Sequence, residues 1–280
     1  MAVLDVSCAV RGRYVRHSAA MLHSVFSAGG GHEVRAHYLH PPGLSARTRG
    51  RLERLAAQAG GSIVFWEIGE DRVAGLRVHG HFTSAMWYRI LLPDLLERVG
   101  RVLYLDVDTL ALASIAPLWD VDLSDALAGA VTNVFEEWRG TEHTDALGLA
   151  RADYFNSGVL LLNLDEMRRS NTTEELRRVA ADRSEQLLWP DQDALNLVLG
   201  RRRANLHPRW NAMNSVMLFD YAAEVFGREA VEEARRHPAI RHFEGPGVNK
   251  PWERGSTIPH REDYRAHRRA TPWRWPWVSA

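Results

Sequence analysis

The segment Val102-Leu103-Tyr104-Leu105-Asp106-Val107-Asp108 joins a short apolar run to two closely spaced carboxylates. Side chains alternate along a strand, so Asp106 and Asp108 are expected on the same side. Ligands of open α/β sheets bind at the carboxyl ends of the strands. Two carboxylates there repel each other unless a cation lies between them, and Mn²⁺ or Mg²⁺ prefers oxygen ligands of this kind. The alternative is a solvated turn after an edge strand.

Strands and helices alternate on both sides of this segment. Strands are predicted at residues 2–10, 33–39, 62–67, 101–105, 128–134 and 158–163. Helices are predicted at residues 14–27, at 45–60 with Ser45 as the cap, at 83–99 with an interruption at Pro93, and at 190–199. This order predicts an α/β fold in which a largely parallel sheet is flanked by helices. We expect one domain over residues 1–255, followed by a basic, Trp-rich extension over residues 256–280.

Composition narrows the classes of function. The 280 residues include 35 basic and 35 acidic side chains, which give a formal net charge of zero. A neutral chain lacks the positive field of a general nucleic-acid binder, so no nucleic-acid partner is expected. The single cysteine, Cys8, excludes an internal disulfide and a Cys-rich zinc site. Because the N-terminus lacks a basic-then-apolar export signal, we expect a cytoplasmic protein.

Five further motifs accompany the carboxylate pair in a fixed order. They are Tyr88-Arg89, Tyr154-Phe155-Asn156-Ser157-Gly158-Val159-Leu160-Leu161, Pro190-Asp191-Gln192-Asp193, Trp210-Asn211, and His242-Phe243-Glu244-Gly245-Pro246 with Lys250-Pro251-Trp252. The ordered set resembles glycosyltransferase family 8, which includes glycogenin and bacterial galactosyltransferases that extend lipooligosaccharide. The resemblance covers residues 1–252 and implies a GT-A fold, a Rossmann-like mixed and mostly parallel sheet. It also implies a retaining hexosyltransferase that uses a nucleotide-diphosphate sugar, typically a UDP-sugar.

The resemblance assigns roles to individual residues. It implies that Mn²⁺ or Mg²⁺ is held by Asp106, Asp108 and His242, where the metal would neutralise charge on the departing diphosphate. The residues implied around the reacting sugar are Asn156, Gln192 and Asp193. The residues implied in donor binding are Ala9, Arg11, Arg13, Tyr14, Arg89, Asp106, Val107, Asp108, Asn133, Gly245 and Lys250.

The motif Pro190-Asp191-Gln192-Asp193 is expected to lie beside the anomeric carbon of the donor. An amide is a poor nucleophile, so Gln192 favours a front-face route over a covalent intermediate. We interpret Asp191 as the cap of the helix that follows Pro190, and Asp193 as the site residue. For Arg89 three partners remain open: the diphosphate, an acid of the site, or a surface carboxylate.

Lys250 is the single lysine among 35 basic residues. It lies in the motif expected to contact phosphate, where a compact ammonium acts as a point charge and a flat guanidinium does not. Its placement therefore favours a functional role, and chance is the alternative.

The loop after the first strand departs from the family pattern. Relatives typically carry an acid that accepts the N3–H of uracil, whereas this chain has Arg11-Gly12-Arg13. Arginine donors suit guanine O6 and N7, uracil O4 or an additional phosphate, so we expect a weakened preference for uridine. Asn133 likewise stands where many relatives carry an acid. This loop also favours the alternative function, a nucleotide-binding or regulatory homologue without turnover, which the carboxylate pair, His242 and Lys250 oppose.

The acceptor and the tail are the least determined features. The acceptor could be a lipid-linked saccharide, a polysaccharide, a peptide or a small molecule. The last residues interleave arginine with tryptophan: Arg265, Arg268, Arg269 and Arg274 with Trp273, Trp275 and Trp277. Such a segment suits peripheral contact with the inner face of an anionic membrane. Packing of the tail across the domain is the alternative, and we favour it.

Overall fold

The computed structural model describes residues 2–80, 83–135 and 137–273. The strands are β1 Val3–Ala9, β2 Glu33–His40, β3 Ser62–Glu67, β4 Arg101–Leu105, β5 Thr109–Ala111, β6 Ala128–Thr132, β7 Phe155–Asn163, β8 Arg203–Asn205 and β9 Ile240–His242. The helices are α1 Val15–Ser27, α2 Ala46–Gln58, α3 Leu92–Leu95, α4 Ala116–Trp119, α5 Glu137–Leu147, α6 Leu164–Arg169, α7 Thr172–Asp182, α8 Pro190–Leu199, α9 Asn214–Leu218, α10 Ala222–Phe226, α11 Arg228–Arg236 and α12 Arg261–Arg269. Among the short 3₁₀ segments, Gly12–Tyr14, Ser84–Leu91, Pro208–Asn211 and Gly247–Asn249 approach the site.

The main sheet has seven strands in the order β3-β2-β1-β4-β7-β6-β8. Only β7 runs antiparallel to its two neighbours, and the other pairs are parallel. The predicted α/β class with a largely parallel sheet is therefore confirmed. The strand expected at residues 158–163 begins earlier, at Phe155, because its first residues are also buried and Phe155 pairs with Thr132 of β6.

The core lies on both faces of this sheet. Leu103 and Leu105 of β4 pack in a cluster with α1 and α2, whereas Val102 and Tyr104 pack in a second cluster on the opposite face. This alternation is the period of two of a strand covered on both sides. Asp106 follows Leu105, the last residue of β4, and therefore lies at the carboxyl end of this strand.

The helical region predicted at residues 83–99 is broken as expected near Pro93. A 3₁₀ segment over Ser84–Leu91 precedes α3, and Pro93 occupies the first turn of α3, where its missing N–H costs no helical hydrogen bond. The 3₁₀ segment buries Trp87, Tyr88 and Arg89. A charged side chain is thereby carried into the interior beside the sheet.

A second, two-stranded sheet brings distant parts of the chain together. Strands β5 and β9 pair antiparallel, with Thr109 opposite His242. Just outside the ladder, the Phe243 N–H donates to the Asp108 carbonyl over 2.9 Å. Three-residue strands are too short for a periodic pattern to reveal, so this sheet was not predicted from the sequence.

The described part of the C-terminal segment packs on the domain. The hydroxyl of buried Tyr264 on α12 lies 2.7 Å from Nδ1 of His17 on α1. Nδ1 of His267 lies 2.8 Å from Nδ1 of His23, and Trp273 packs against the core. The tail therefore packs against the domain as far as Trp273. The domain boundary at residue 256 stays a prediction.

The remaining tail residues, including Arg274, Trp275 and Trp277, lie outside the described residues. Within residues 2–80, 83–135 and 137–273, none of the helices combines the length and the apolar composition needed to span a bilayer.

Replacing Tyr264 by alanine should lower the free energy of unfolding by about 3–5 kcal/mol, the range for deleting a buried aromatic side chain. The measurement is denaturant unfolding of the full chain. Tyr221→Ala is the matched control, because Tyr221 is only half-buried and stacks on exposed Phe219; a loss of about 1 kcal/mol is expected there. Equal losses in both variants would contradict a packed role for α12.

Candidate active site

Three potential metal ligands converge after β4. Ligand atoms of Asp106, Asp108 and His242 all lie within 4.8 Å of one another. His242 is buried and its Nε2 lies 3.4 Å from Asp108 Oδ1. The sequence separates the imidazole widely from the carboxylates, and the β5–β9 ladder closes that gap. The three residues named as metal ligands therefore do lie together.

The imidazole of His242 is oriented by a row of amides. Its Nδ1 lies 3.0 Å from Asn211 Oδ1, which leaves Nε2 facing Asp108. Asn211 Nδ2 donates to Asn156 Oδ1 over 2.8 Å. Burial lowers the pKa of His242, but Asp108, Glu244 and Asp106 together outweigh burial, so the pKa lies above its usual value. A polar partner on the far ring nitrogen is the usual arrangement of a metal-binding histidine.

Gly158 provides the space in which this ring lies. A Cβ at residue 158 would come within 2.2 Å of His242 Cε1 and 2.8 Å of its Nδ1. Since any larger residue would meet the ring, glycine is required here by close packing against the imidazole.

Asp108 is held by two cationic partners. The Lys250 ammonium donates to Asp108 Oδ2 and, over 2.8 Å, to the Phe243 carbonyl. Burial raises the pKa of Asp108, but the charges of Lys250 and His242 outweigh it and hold the pKa below its usual range. The carboxylate is thus kept ionised in a partly buried position, and the only lysine of the chain contacts it.

Arg89 forms the second cationic centre. Its guanidinium donates to Asp106 Oδ1 over 2.9 Å and to the Ser157 carbonyl over 2.6 Å, and its Nε lies 3.2 Å from Asp191 Oδ2. It stacks 4.3 Å from the ring centroid of Tyr104, whose hydroxyl also donates to Asp106. Arg89 is buried, so the surface ion pair is wrong, and its carboxylate partners in the structure are Asp106 and Asp191.

The two acids flanking Gln192 occupy different positions from those expected. The N-cap of α8 is Trp189, whose own side chain makes no capping hydrogen bond, and Asp191, in the first turn, pairs with Arg89. Burial, with Asp106 adding to it and Arg89 opposing, raises the pKa of Asp191 to about 6. The interpretation of Asp191 as a cap is therefore wrong, because its carboxylate is drawn to a buried guanidinium.

Asp193 is fully buried and bonded to the protein itself. Its Oδ1 accepts from the Tyr154 hydroxyl and lies 2.8 Å from His143 Nε2. Its Oδ2 accepts from the backbone N–H groups of Leu188 and Trp189 over 2.7 and 2.9 Å. Both oxygens are engaged and none of the side chain is exposed, so this acid holds the start of α8 in place.

Gln192 and Asn156, both expected around the sugar, lie next to each other. Gln192 Oε1 accepts from the Ser157 N–H over 2.9 Å and from Asn156 Nδ2 over 3.3 Å. Asn156 Nδ2 also lies 3.3 Å from Asn133 Oδ1. The amides of α8, β7 and the end of β6 therefore form one polar surface beside Arg89.

The donor-loop residues follow β1, which ends at Ala9. Arg11 donates to Ser84 Oγ over 2.8 Å, and Gly12 has a φ of +58°, a region that favours glycine. Arg13 lies 5.8 Å from the Tyr14 ring centroid, and Tyr14 meets Trp252 edge-on at 5.9 Å. This loop presents guanidinium groups, and no carboxylate, next to the 3₁₀ segment that carries Arg89.

Two further residues expected to bind the nucleotide-sugar donor, Val107 and Gly245, lie close to the candidate metal ligands. Val107, between the two aspartates, is partly buried against the core. Gly245 has a φ of +85°, and a Cβ there would meet Asn249 Nδ2 at 2.8 Å. The tight turn at Gly245 starts the loop that returns Lys250 to Asp108.

Sequence reasoning assigned no individual role to Ser157, Gly158, Asn211 or Tyr104, although all four lie inside the quoted motifs. Each acts on a residue that was named: Ser157 on Arg89 and Gln192, Gly158 and Asn211 on His242, Tyr104 on Asp106. Their presence in the motifs is the signal that could have found them.

Comparison with known proteins agrees with this geometry. A family model described as Glycosyl transferase family 8 matches residues 5–256. General stress protein A of Bacillus subtilis (strain 168) is 32% identical over 275 residues, which cover 96% of this chain and 93% of that protein. The lipopolysaccharide 1,2-glucosyltransferase of Escherichia coli (strain K12) is 25% identical over 229 residues, 80% of this chain but only 65% of that enzyme.

Solved structures give the same relationship. The galactosyltransferase LgtC, solved in complex with donor and acceptor sugar analogues, matches with a TM-score of 0.85 at 26% identity and 98% coverage of both chains. The expected GT-A fold is thereby confirmed. With the family model matched from residue 5 to residue 256 and a relative 32% identical along nearly its whole length, the chain belongs to glycosyltransferase family 8.

Proposed function

We propose that this glycosyltransferase is a metal-dependent, retaining hexosyltransferase that takes its sugar from a nucleotide-diphosphate donor. The observation that carries the proposal is the convergence of Asp106, Asp108 and His242 within 4.8 Å, with Lys250 on the same carboxylate. The acceptor is a hydroxyl of a saccharide, lipid-linked or small molecule. The similarity to two relatives, a lipopolysaccharide 1,2-glucosyltransferase and a lipopolysaccharide 1,3-galactosyltransferase, supports a saccharide acceptor.

The three donor atoms fit a divalent ion such as Mn²⁺ or Mg²⁺. Two carboxylates and one imidazole nitrogen suit Mn²⁺ well, since it accepts both oxygen and nitrogen ligands. The amide of Asn211 on the far nitrogen of His242 supplies the outer contact that such a ligand needs. When bound, the ion neutralises charge on a diphosphate leaving group.

Lys250 and Arg89 supply the fixed positive charge around the leaving group. Lys250 pairs with Asp108 and with the Phe243 carbonyl, and it would supply positive charge beside a diphosphate whose metal is held by that carboxylate. Arg89 is held by Asp106, Asp191 and Ser157 and cannot swing out without breaking three contacts. Both positive charges are therefore held in place by contacts within the protein.

The amide surface favours a front-face reaction. Gln192 Oε1 already accepts hydrogen bonds from Ser157 and Asn156, which reduces its availability as a nucleophile. Asp193 is turned into the protein and fully buried. The role left to Gln192 and Asn156 is to hold the pyranose by hydrogen bonds, while the leaving phosphate assists the acceptor hydroxyl.

The base of the donor is read by an arginine-rich loop. Tyr14 offers a ring to a base, and Arg11 and Arg13 offer donors where the family pattern has an acceptor. We infer that uridine is used with relaxed preference. Any peripheral contact with a membrane falls to residues 274–280, since the segment before them packs on the domain.

Replacing Asp108 by asparagine should abolish metal-dependent turnover. Loss of a ligand removes several kcal/mol of transition-state stabilisation, so hydrolysis of UDP-glucose or UDP-galactose with Mn²⁺ should fall about 100-fold or more. Nucleotide release with and without a chelator measures this, and Asp182→Asn, a change at an exposed acid on α7, is the control. Undiminished turnover in chelator would contradict metal dependence. Metal binding without hydrolysis of any nucleotide-sugar would favour the binding-protein alternative.

Replacing Gly158 by alanine should weaken Mn²⁺ binding about 10–100-fold, because the new methyl group displaces the His242 ring. Calorimetric titration of the metal measures the effect in the absence of substrate. Gly200→Ala is the matched control, since a Cβ at Gly200 meets nothing closer than 3.7 Å. Unchanged affinity in the Gly158 variant would mean that His242 does not bind the metal in this position.

A panel of nucleotide-sugars tests how the protein recognises the base of the donor. UDP-, GDP-, ADP- and TDP-glucose should differ in kcat/KM by less than about 100-fold, because no carboxylate is available in the Arg11–Arg13 loop to select the N3–H of uracil. The Arg11→Asp variant, which restores an acceptor, should shift the ratio toward UDP-glucose. Strict use of UDP-sugars by the unaltered protein would contradict the inference.

A further inference from the structure

The segment that carries Lys250 continues directly into an aromatic contact. The backbone N–H of Lys250 donates to the Gly247 carbonyl over 2.9 Å, which closes the short 3₁₀ turn before it. Its ammonium pairs with Asp108, and its Nζ also lies over the ring of Trp252, 5.8 Å from the centroid. An ammonium within about 6 Å of an indole is attracted to the face of the ring. The position of Trp252 therefore affects where the ammonium lies.

Helix α12 holds the backbone on both sides of Trp252. Arg261, the first residue of α12, donates from Nε to the Pro251 carbonyl over 3.2 Å. The same guanidinium donates from Nη2 to the Glu253 carbonyl over 3.1 Å. A guanidinium presents several donors in one rigid plane, so it can bind two acceptors with a fixed spacing. One side chain of α12 thus fixes the two residues between which Trp252 lies.

The indole itself is held by two further rings. His17 of α1 stacks on Trp252 with centroids 3.9 Å apart and planes 19° apart. Tyr264 of α12 lies 5.6 Å from the same indole, and its hydroxyl lies 2.7 Å from His17 Nδ1. Aromatic rings at these separations attract each other beyond the area that they bury. Trp252 is therefore held between α1 and α12 as well as by its backbone.

Helix α12 is anchored on the domain but lies outside its family-defining part. The family model ends at residue 256, and α12 begins at Arg261. Along its length the helix contacts α1 twice, through Tyr264 with His17 and through His267 with His23. Because it is fixed to α1 at these points, α12 can hold the Lys250 segment in place and does not simply follow it.

We propose that α12 is a positioning element of the active site, in which Arg261 and Tyr264 fix Trp252 and thereby fix the Lys250 ammonium beside Asp108. The inference rests on the proposed function, in which Lys250 supplies positive charge beside a diphosphate. It extends that function to a helix beyond the matched family region. The hydrogen bonds that the structure gives Arg261 and Tyr264 go to the Lys250 segment and to His17, so both act through other residues.

The position of Lys250 can be observed directly, because it is the only lysine of the chain. Protein labelled with ¹³C at lysine Cε gives one such signal by NMR, in the absence of metal and substrate. In the unaltered chain this signal should be displaced from that of free lysine by the indole ring and by Asp108. Arg261→Gln and Trp252→Leu should each move it toward free lysine. Arg269→Gln, at an exposed residue of the same helix, is the matched control and should leave it unchanged.

Catalysis should change together with the lysine signal. In Arg261→Gln, kcat/KM for metal-dependent hydrolysis of UDP-glucose should fall about tenfold, because a misplaced charge stabilises the transition state less well. Arg261→Lys, which retains a donor for one of the two carbonyls, should recover part of this loss. The affinity for Mn²⁺, measured by calorimetry without substrate, should change by less than about threefold, since the β5–β9 ladder and not α12 holds the ligands together.

Three outcomes would overturn the proposal. They are an unchanged lysine signal in Arg261→Gln and Trp252→Leu, a shifted signal with unaltered kcat/KM, and an equal loss of kcat/KM and Mn²⁺ affinity, which would indicate a purely structural role. Failure of the proposed function is distinguishable from these, because the unaltered chain would then hydrolyse no nucleotide-sugar. The lysine signal would still decide whether α12 holds Lys250 in place.

Discussion

The ladder between β5 and β9 is the constraint on which the site depends. It pairs Thr109 with His242 and so places an imidazole from far along the chain beside Asp108. A buried carboxylate is costly unless it is paired. Here Lys250, returned by the loop after β9, neutralises Asp108 at the same point. Backbone pairing and charge pairing therefore stabilise one arrangement together, and neither alone would hold three ligands within reach of a single ion.

Charge balance explains why a divalent metal ion would fit among these side chains. Around the candidate site, the described side chains Arg89 and Lys250 face three carboxylates, Asp106, Asp108 and Asp191. When His242 is neutral, as a metal ligand must be, these two positive charges against three ionised carboxylates leave a net charge of −1. Part of that negative charge is relieved because burial raises the pKa of Asp191 to about 6. A divalent ion would reverse the balance and leave the site positive, which is the condition for receiving a diphosphate.

The sequence predicted the elements with strong patterns and the residues with strong chemistry. Alternating apolar runs located β1 to β4, and the Asp-x-Asp pair with His242 and Lys250 located the cluster. It could not locate β5 and β9, which are three residues long, nor the antiparallel direction of β7, which is set by neighbouring strands. The partners of Asp191 and Asp193 could not be predicted for a similar reason. Both lie in the first turn of α8, and only tertiary packing turns one toward Arg89 and the other toward Tyr154.

The direction of the hydrogen bonds links the amides of Asn156 and Asn211 to the candidate metal ligand His242. The Gly158 N–H can only donate, and it donates to Asn156 Oδ1 over 3.0 Å. That oxygen also receives Asn211 Nδ2, so Asn211 Oδ1 is free to accept from Nδ1 of His242. The proton of the neutral imidazole is thereby assigned to Nδ1. In that tautomer Nε2 carries a lone pair that can bind a metal. A substitution at Asn156 consequently reaches His242 through a single intervening amide. Loss of activity in such a variant reports on the metal ligand as well as on the sugar, and only a metal titration separates the two.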